Sequence, residues 1–327
     1  MLKVSSSPHA KSKDTTTGIM LDVIIALIPA LVMSVFYFGM RALALCAVCT
    51  GTAVLSEYIS RKVMKRNNTI GDLSAVVTGI ILSFNLPSTL PLWMGALGSV
   101  IAIVVVKQMF GGIGQNFVNP AITARIILMS SFASSMSSWA VPFTKSFSDA
   151  VTTASPMALL ANVCKGSATV EQAGLPSLSQ MLLGMRAGSM GEVCAVALIA
   201  GGIYLVARKV ISPVIPVCFV GTVGVFMFLY SGFDITFTAY QLLGGGLLLG
   251  AIFMATDYTT SPMTKWGKVI FGVGCGLITS VIRVFGSLPE GVSYSIILMN
   301  ILVPHIENLT RPKVFGQVKE KKEAKQA

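Results

Sequence analysis

Long apolar runs dominate this sequence and constrain its fold more than any other feature. Hydrophobic residues make up 54% of the 327 positions, whereas the charged residues (24 Lys and Arg plus 13 Asp and Glu) make up 11%. A soluble domain carries about 25% charged residues, so this chain lacks the polar surface needed to enclose a soluble fold of its size. The composition excludes a soluble globular enzyme, a disordered chain and a disulfide-stapled secreted domain, and it predicts a polytopic membrane protein.

Ten apolar segments are long enough to span, or nearly span, a bilayer. They lie at about 20–40, 42–60, 72–86, 92–110, 119–133, 190–208, 213–231, 240–256, 265–284 and 291–305. A spanning helix needs about 20 residues. Three segments, 72–86, 119–133 and 291–305, are markedly shorter than this, which tilted or broken helices or a locally thinner bilayer accommodate. The sequence predicts an all-α fold with about ten transmembrane helices.

The basic residues are distributed unevenly between alternate connecting segments. If the N-terminus is cytoplasmic and ten helices alternate, all but six of the 24 Lys and Arg residues fall on the cytoplasmic side; the six are Arg41, Arg125, Lys145, Lys165, Arg186 and Arg283. Because Lys and Arg accumulate on that side, we expect both termini in the cytoplasm and the loop 134–189 outside the inner membrane. The net charge of +11 therefore does not indicate nucleic-acid binding, since no continuous basic face forms.

A short pattern occurs in both halves of the chain. Gly79 precedes Pro91 by 12 residues and Gly250 precedes Pro262 by 12, and each proline is followed by an apolar segment that ends in Phe-Gly. Two repeats of five helices would have opposite orientations in the membrane, as in many transporters; chance similarity between apolar helices is the alternative. The expected organisation is a cytoplasmic N-terminal segment 1–19, a first five-helix repeat 20–133, an extracytoplasmic loop 134–189, a second repeat 190–305 and a cytoplasmic tail 306–327.

Two cysteines, Cys46 and Cys49, have the spacing of metal ligands. No second pair of cysteines and no nearby histidine accompanies them in the sequence. We therefore expect two small apolar side chains on one face of a helix rather than a metal site.

The extracytoplasmic loop contains the most informative polar segment. Residues 148–157 read Ser-Asp-Ala-Val-Thr-Thr-Ala-Ser-Pro-Met and are rich in hydroxyl groups and small side chains. From composition alone, this segment is a flexible turn that ends at Pro156.

The same segment resembles the flavin-attachment motif of a known family, which comprises the D subunit of the Rnf complex and its homologue, the B subunit of the sodium-pumping NADH:quinone oxidoreductase. The family motif is Asp-(Gly/Ala)-x-(Ser/Thr)-x-Ala-(Thr/Ser), and positions 149, 150, 152, 154 and 155 match it in order. The resemblance extends to Ser-Pro-His at 7–9, Gly-Gly-x-Gly-x-Asn-x-x-Asn-Pro at 111–120 and Thr-Asp-Tyr-x-Thr-Ser-Pro at 256–262. It covers essentially the whole chain.

The resemblance implies that a dedicated flavin transferase esterifies the phosphate of FMN to Ser155. The family usually has threonine at this position, but either hydroxyl can form the phosphodiester. Thr153 and Thr152 are nearby alternatives. Asp149 would contribute to recognition by the transferase, or it would cap a turn.

A glycine-rich stretch at 111–119 is typical of backbone that lines a cavity. It contains three glycines together with Asn116 and Asn119, and Arg125 follows about one turn into the next helix. Glycine allows the backbone to approach a ligand closely. Irregular backbone at membrane depth needs hydrogen-bond partners from the protein or from water. A tight re-entrant turn without a ligand is one interpretation; the resemblance favours a second, non-covalent flavin, such as riboflavin, or an ion path.

Ionisable residues in or at the ends of the apolar segments are few. The candidates for a role within the membrane are Asp22, Glu57, Asp72, Arg125, Asp257, Arg283 and His305. Burial of a charge in a membrane is costly, so each is a functional candidate, although those near segment ends can reach the interface. Arg125 and Asp257 rank first, and Asp22 joins Asp257 as a candidate for an ion path.

The function implied by the resemblance is that of a membrane flavoprotein subunit in a redox-driven Na⁺ or H⁺ pump, which passes electrons between ferredoxin and NAD⁺. The implied partners are the other subunits of an Rnf-type complex, including an extracytoplasmic FMN subunit, together with the flavin transferase and the lipid bilayer. A urea- or ammonium-type channel or transporter and a flavin-free scaffold subunit are the alternatives. The segment 149–155 discriminates between them, because a channel has no reason to keep it.

Overall fold

The computed structural model describes residues 15–143, 152–153, 155–164, 174–192, 194–286 and 291–311. Within these ranges helices predominate, and the strands are β1 Trp139–Ala140 and β2 Thr152–Thr153, which pair antiparallel. The predicted all-α class is confirmed.

Every predicted apolar segment contains a helix. The helices are α1 Thr16–Phe38, α2 Met40–Val63, α3 Ser74–Phe84, α4 Leu92–Val100, α5 Pro120–Ser131, α6 Ala133–Met136, α7 Pro156–Cys164, α8 Leu178–Leu183, α9 Ala195–Ala207, α10 Val214–Tyr230, α11 Ile235–Leu243, α12 Leu247–Leu249, α13 Lys265–Phe285 and α14 Val292–Thr310. Two π-helical segments, Ile101–Gln108 and Gly250–Met254, continue α4 and α12, and a 3₁₀ turn covers Ile70–Asp72.

The lengths of these helices support a multi-pass membrane protein. By length and composition, α1, α2 and α13 can each cross a membrane, and the pair Ile235–Leu243 and Leu247–Met254, bent by 61°, is a fourth candidate. Shorter apolar helices of 10–17 residues are Ser74–Phe84, Leu92–Gln108, Pro120–Ser131, Ala195–Ala207 and Val214–Tyr230. Ten complete spans and the inverted repeat therefore remain predictions.

Polar side chains determine where several helices begin. The Thr15 hydroxyl accepts a hydrogen bond from the N–H of Gly18 at 3.1 Å, and the Thr264 hydroxyl accepts one from Gly267 at 3.0 Å. Asp234 caps α11 in the same way. Each such cap stabilises a helix by about 1 kcal/mol.

Two helices end at buried positions, where their free carbonyl groups need partners. At the end of α3, the carbonyl of Phe84 accepts a hydrogen bond from the N–H of Gly191 at 2.9 Å. At the end of α11, Arg186 donates to the carbonyl of Leu243 at 2.6 Å, and Arg283 donates to that of Gln241 at 2.6 Å. The guanidinium groups thus stabilise the break between α11 and α12.

Small residues allow α10 and α13 to pack closely. A β carbon on Gly272 would lie 2.8 Å from Cβ of Cys218, and one on Gly276 would lie 2.6 Å from Cβ of Thr222. Larger side chains at these glycines would separate the helices, as expected of small-residue interfaces in membranes.

Candidate functional site

A cavity of about 350 Å³ lies between the two halves of the chain. Its walls come from α1, α3, the turn 113–121, the region 205–211 and the segment 252–259, and most of the lining side chains are apolar. Ligand-binding pockets usually have about 300–1,000 Å³ of space and a few polar groups in an apolar wall. The cavity therefore has the size and character of a small-molecule site.

Two predicted asparagines, Asn116 and Asn119, line this cavity. Both polar atoms of the Asn119 side chain form hydrogen bonds within the protein. Its Oδ1 caps α5 by accepting from the N–H groups of Ala121 and Ile122, at 3.1 and 3.3 Å, and its Nδ2 donates to the carbonyl of Met254 at 3.2 Å. Asn116 differs, because its Oδ1 is buried and accepts no hydrogen bond within the described residues. Asn116 can therefore accept a hydrogen bond from a ligand.

Asp257 lines the same cavity from the second half of the chain. It follows the bent helix pair that ends at Met254. Its Oδ2 accepts hydrogen bonds from the hydroxyls of Thr259 at 2.9 Å and Thr260 at 3.2 Å. Burial raises the pKa of the Asp257 carboxyl, although these hydrogen bonds oppose the shift. Asp257 therefore holds a proton more readily than an ordinary aspartate does.

A buried ion pair also reaches the cavity wall. Lys107 donates to Oε2 of Glu57 at 2.9 Å and to the hydroxyl of Ser74 at 2.6 Å, and the side chains of the pair are 2% and 0% exposed. Along the sequence, Lys107 counts only as one of the basic residues assigned to the cytoplasmic side. The signal that could have revealed the pair is two opposite charges inside two different apolar segments, because burial of either charge alone is strongly unfavourable.

Ser155 lies immediately before α7 and is 7% exposed. Its hydroxyl oxygen accepts a hydrogen bond from the N–H of Ala158 at 3.2 Å. Pro156 is the first residue of the helix, a position that favours proline. Thr152 and Thr153 lie in β2, opposite Ala140 and Trp139. Asp149 lies outside the described residues.

Helix α7 contacts the glycine that follows α11 and the last residue of α10. A β carbon on Gly244 would lie 2.6 Å from the sulfur of Met157, so the Met157 side chain packs directly against this glycine. At the other end of α7, the Tyr230 hydroxyl donates to the carbonyl of Cys164 at 3.1 Å. These contacts fix the position of α7, and with it that of Ser155.

The other predicted site residues that the structure describes, Arg125 and Asp22 among them, do not line this cavity. Arg125 is 3% exposed and donates to Oδ1 of Asn85 at 2.9 Å and to the hydroxyl of Ser293 at 3.2 Å. Asp22 accepts a hydrogen bond from the Tyr204 hydroxyl at 2.9 Å and pairs with Arg208 at 3.3 Å. The fold thus brings Asn116, Asn119 and Asp257 together, whereas Arg125, Asp22 and Ser155 occupy other places.

Comparisons with known proteins extend over nearly the whole chain. The profile of the NQR2, RnfD, RnfE family matches residues 3–316. The D subunit of the Na(+)-translocating ferredoxin:NAD(+) oxidoreductase complex of Acetobacterium woodii is 46% identical over 327 residues, which cover 99% of this chain and 98% of that protein. The D subunit of the proton-translocating ferredoxin:NAD(+) oxidoreductase complex of Clostridium ljungdahlii is 43% identical over 317 residues, 96% of each chain. The D subunit of the ion-translocating oxidoreductase complex of Halorhodospira halophila is 34% identical over 346 residues, 98% of this chain and 97% of that protein.

Proposed function

Because this chain belongs to the NQR2, RnfD, RnfE family, we propose that it is the membrane flavoprotein subunit of a redox-driven Na⁺ or H⁺ pump that passes electrons between ferredoxin and NAD⁺. Its relatives in A. woodii and C. ljungdahlii are named as subunits of such complexes, one for Na⁺ and one for protons. The protein then works with the other subunits, including an extracytoplasmic FMN subunit. A channel of the urea or ammonium type and a flavin-free scaffold are the competing functions.

The position of Ser155 at the start of α7 carries the proposal of covalent FMN. The first N–H groups of a helix and its dipole together favour a negative charge at that end. A phosphodiester on the Ser155 oxygen places its charge there, beside the N–H of Ala158. The nine-residue helix would therefore be stabilised, rather than disrupted, by flavin attachment.

Bound FMN would supply one- and two-electron transfer, which the side chains of the protein cannot. This chain would contribute to electron transfer by holding the flavin in position. The contacts of Met157 with Gly244, at the end of α11, and of Cys164 with Tyr230, at the end of α10, keep α7 in one place. A flavin on Ser155 would therefore stay at a fixed distance from its redox partners.

Covalent attachment is tested by in-gel flavin fluorescence of the subunit, co-expressed with its transferase and denatured before electrophoresis. Ser155→Ala should abolish the fluorescence, whereas Thr152→Ala and Thr153→Ala should retain it. Loss in Thr153→Ala with retention in Ser155→Ala would assign the attachment to Thr153. A wild-type chain without fluorescence would favour the scaffold or channel function.

A second, non-covalent flavin such as riboflavin would occupy the cavity between the halves. The buried acceptor Oδ1 of Asn116 needs a donor, and the N3–H of an isoalloxazine ring is one. The apolar walls, which include Ile252 and Phe253, suit the ring faces. Asp257 would exchange a proton or a cation at the same cavity and is the stronger ion-path candidate; Asp22, already paired with Arg208, is the weaker one.

The orientation in the inner membrane, with both termini cytoplasmic and the loop 134–189 outside, belongs to the same proposal. It is supported by the distribution of Lys and Arg. An impermeant thiol reagent applied to intact cells should label Lys165→Cys but not Lys319→Cys. The background should carry Cys164→Ser, because Cys164 is partly accessible. The reverse labelling pattern would contradict this orientation.

A further inference from the structure

The guanidinium group of Arg61 is buried next to the glycine turn 111–114. Arg61, in the last turn of α2, is 9% exposed. Its Nε is buried without a hydrogen-bond partner, and no ion pair or side-chain hydrogen bond engages the guanidinium within the described part of the chain. Glu57, one turn earlier, is bound by Lys107 and Gln108 instead. A buried cation without a partner is strongly unfavourable, so this position favours an anion.

The absence of a side chain at Gly112 leaves space for the guanidinium group of Arg61. The φ of Gly112, 104°, is in the left-handed region, and a β carbon there would overlap Nη2 of Arg61. Gly111 and Gly114 also have positive φ, at 128° and 86°. The backbone N–H groups of Ile113 and Gly114 form no hydrogen bond within the described ranges. Successive N–H groups in turns of this kind form concave sites for anions.

Further cations surround the end of α2. Lys62, Lys65 and Arg66 follow Arg61 within five positions, and all three are exposed. Basic clusters just beyond a membrane helix on the cytoplasmic side attract anionic lipid headgroups. The exposed cations would attract an anion over a distance, whereas Arg61 and the turn would fix its position.

We propose that Arg61 and the glycine turn 111–114 form a binding site for a phosphate group, from either an anionic phospholipid headgroup or soluble phosphate. A phosphate oxygen accepts charge-assisted hydrogen bonds from the guanidinium, and the turn contributes backbone N–H donors. Ile113 and Gly114 also line the 350 Å³ cavity. An anion at this site would therefore rigidify the wall that carries Asn116.

The test uses the purified, delipidated complex in detergent. Phosphatidylglycerol and, separately, phosphatidylcholine are titrated into the complex, and native mass spectrometry measures how much of each lipid binds. Equilibrium dialysis measures the binding of radiolabelled inorganic phosphate. We expect Arg61→Gln to weaken binding of the preferred ligand about tenfold or more, as loss of a charge-assisted hydrogen bond implies. The matched control, Lys65→Gln, removes an exposed charge of the same cluster and should weaken binding by no more than about fivefold.

The two arms of this experiment distinguish the sources of phosphate. Arg61-dependent preference for phosphatidylglycerol over phosphatidylcholine identifies a lipid headgroup. Arg61-dependent binding of inorganic phosphate without that lipid preference identifies a soluble phosphate. Equal losses in Arg61→Gln and Lys65→Gln would overturn the site in favour of diffuse attraction.

A second measurement needs only the wild-type complex, in case Arg61→Gln does not assemble. Phosphatidylglycerol or inorganic phosphate should raise its Tm, because a ligand that binds the folded state stabilises it. If neither ligand raises the Tm and neither binds, the proposal is wrong.

Discussion

The side-chain oxygen of Ser155 accepts a hydrogen bond from the backbone N–H of Ala158 over 3.2 Å. The proposed flavin acceptor is therefore also the N-cap of α7. The cap needs only a side-chain oxygen that accepts a hydrogen bond, whereas the covalent flavin needs a hydroxyl that can be esterified. This difference allows the two roles to be separated by substitution.

Ser155→Thr should keep both the cap and the covalent flavin, because threonine caps helices almost as well as serine and its hydroxyl can form the same phosphodiester. Ser155→Asn should keep the cap but lose the flavin, since an amide cannot be esterified. In-gel fluorescence measures attachment, and limited proteolysis of the loop measures the cap. Fluorescence in Ser155→Asn would show that another residue carries the flavin.

Asn116→Ala should lower the content of non-covalent flavin, because the substitution removes the buried acceptor on the cavity wall. We expect a loss of affinity of about tenfold, the usual consequence of removing one hydrogen bond to a bound ligand. The measurement is flavin released by acid from the purified complex, where covalent FMN stays with the protein. Gln115→Ala, at an exposed position of the same turn, is the control; an equal loss in both variants would indicate damage to the turn.

Lys107→Met should destabilise the protein by about 3–5 kcal/mol, because it leaves the fully buried Glu57 carboxylate without its cation. The double variant Lys107→Met with Glu57→Gln should recover much of that loss, since it removes both charges. Thermal unfolding in detergent measures the difference. A double variant no more stable than the single one would argue that the pair contributes by shape and hydrogen bonding rather than by charge balance.

The raised pKa of Asp257 predicts how stability depends on pH. The folded chain binds this proton more tightly than the unfolded chain, so the contribution of the group is fully present below the unfolded pKa of about 4. It is lost as the pH rises from there through the folded value. The Tm of Asp257→Asn should therefore rise relative to that of wild type over this window. A constant difference across the window would contradict the burial of an ionisable carboxyl at this cavity.

Much of the helical order follows directly from the sequence. The ten apolar segments correspond to helices because a chain in a bilayer must satisfy its backbone hydrogen bonds internally. The start of α5 is also evident from the sequence, since Asn119 and Pro120 form a cap followed by a favoured first residue. These features depend on residues that lie close together along the chain.

Features formed by distant residues could not be predicted in the same way. Asn119 bonds to Met254 from 135 positions away, and this contact helps to place Asp257 at the same cavity as Asn116. Spacing along the chain suggests instead that Arg125 belongs to the glycine turn, but its side chain points to Asn85 and Ser293. Likewise, the role of Lys107 is hidden in the sequence because its partner Glu57 lies 50 positions earlier.

The central claim is that FMN is covalently bound to Ser155, and mass spectrometry of the proteolysed wild-type subunit tests it most directly. The chain should be purified after co-expression with its flavin transferase, and the peptide that contains residues 149–157 should be fragmented to locate any modification. We predict that this peptide carries the mass of FMN less one water, and that the fragment ions assign it to Ser155. An unmodified peptide, or an adduct on Thr152 or Thr153, would contradict the claim.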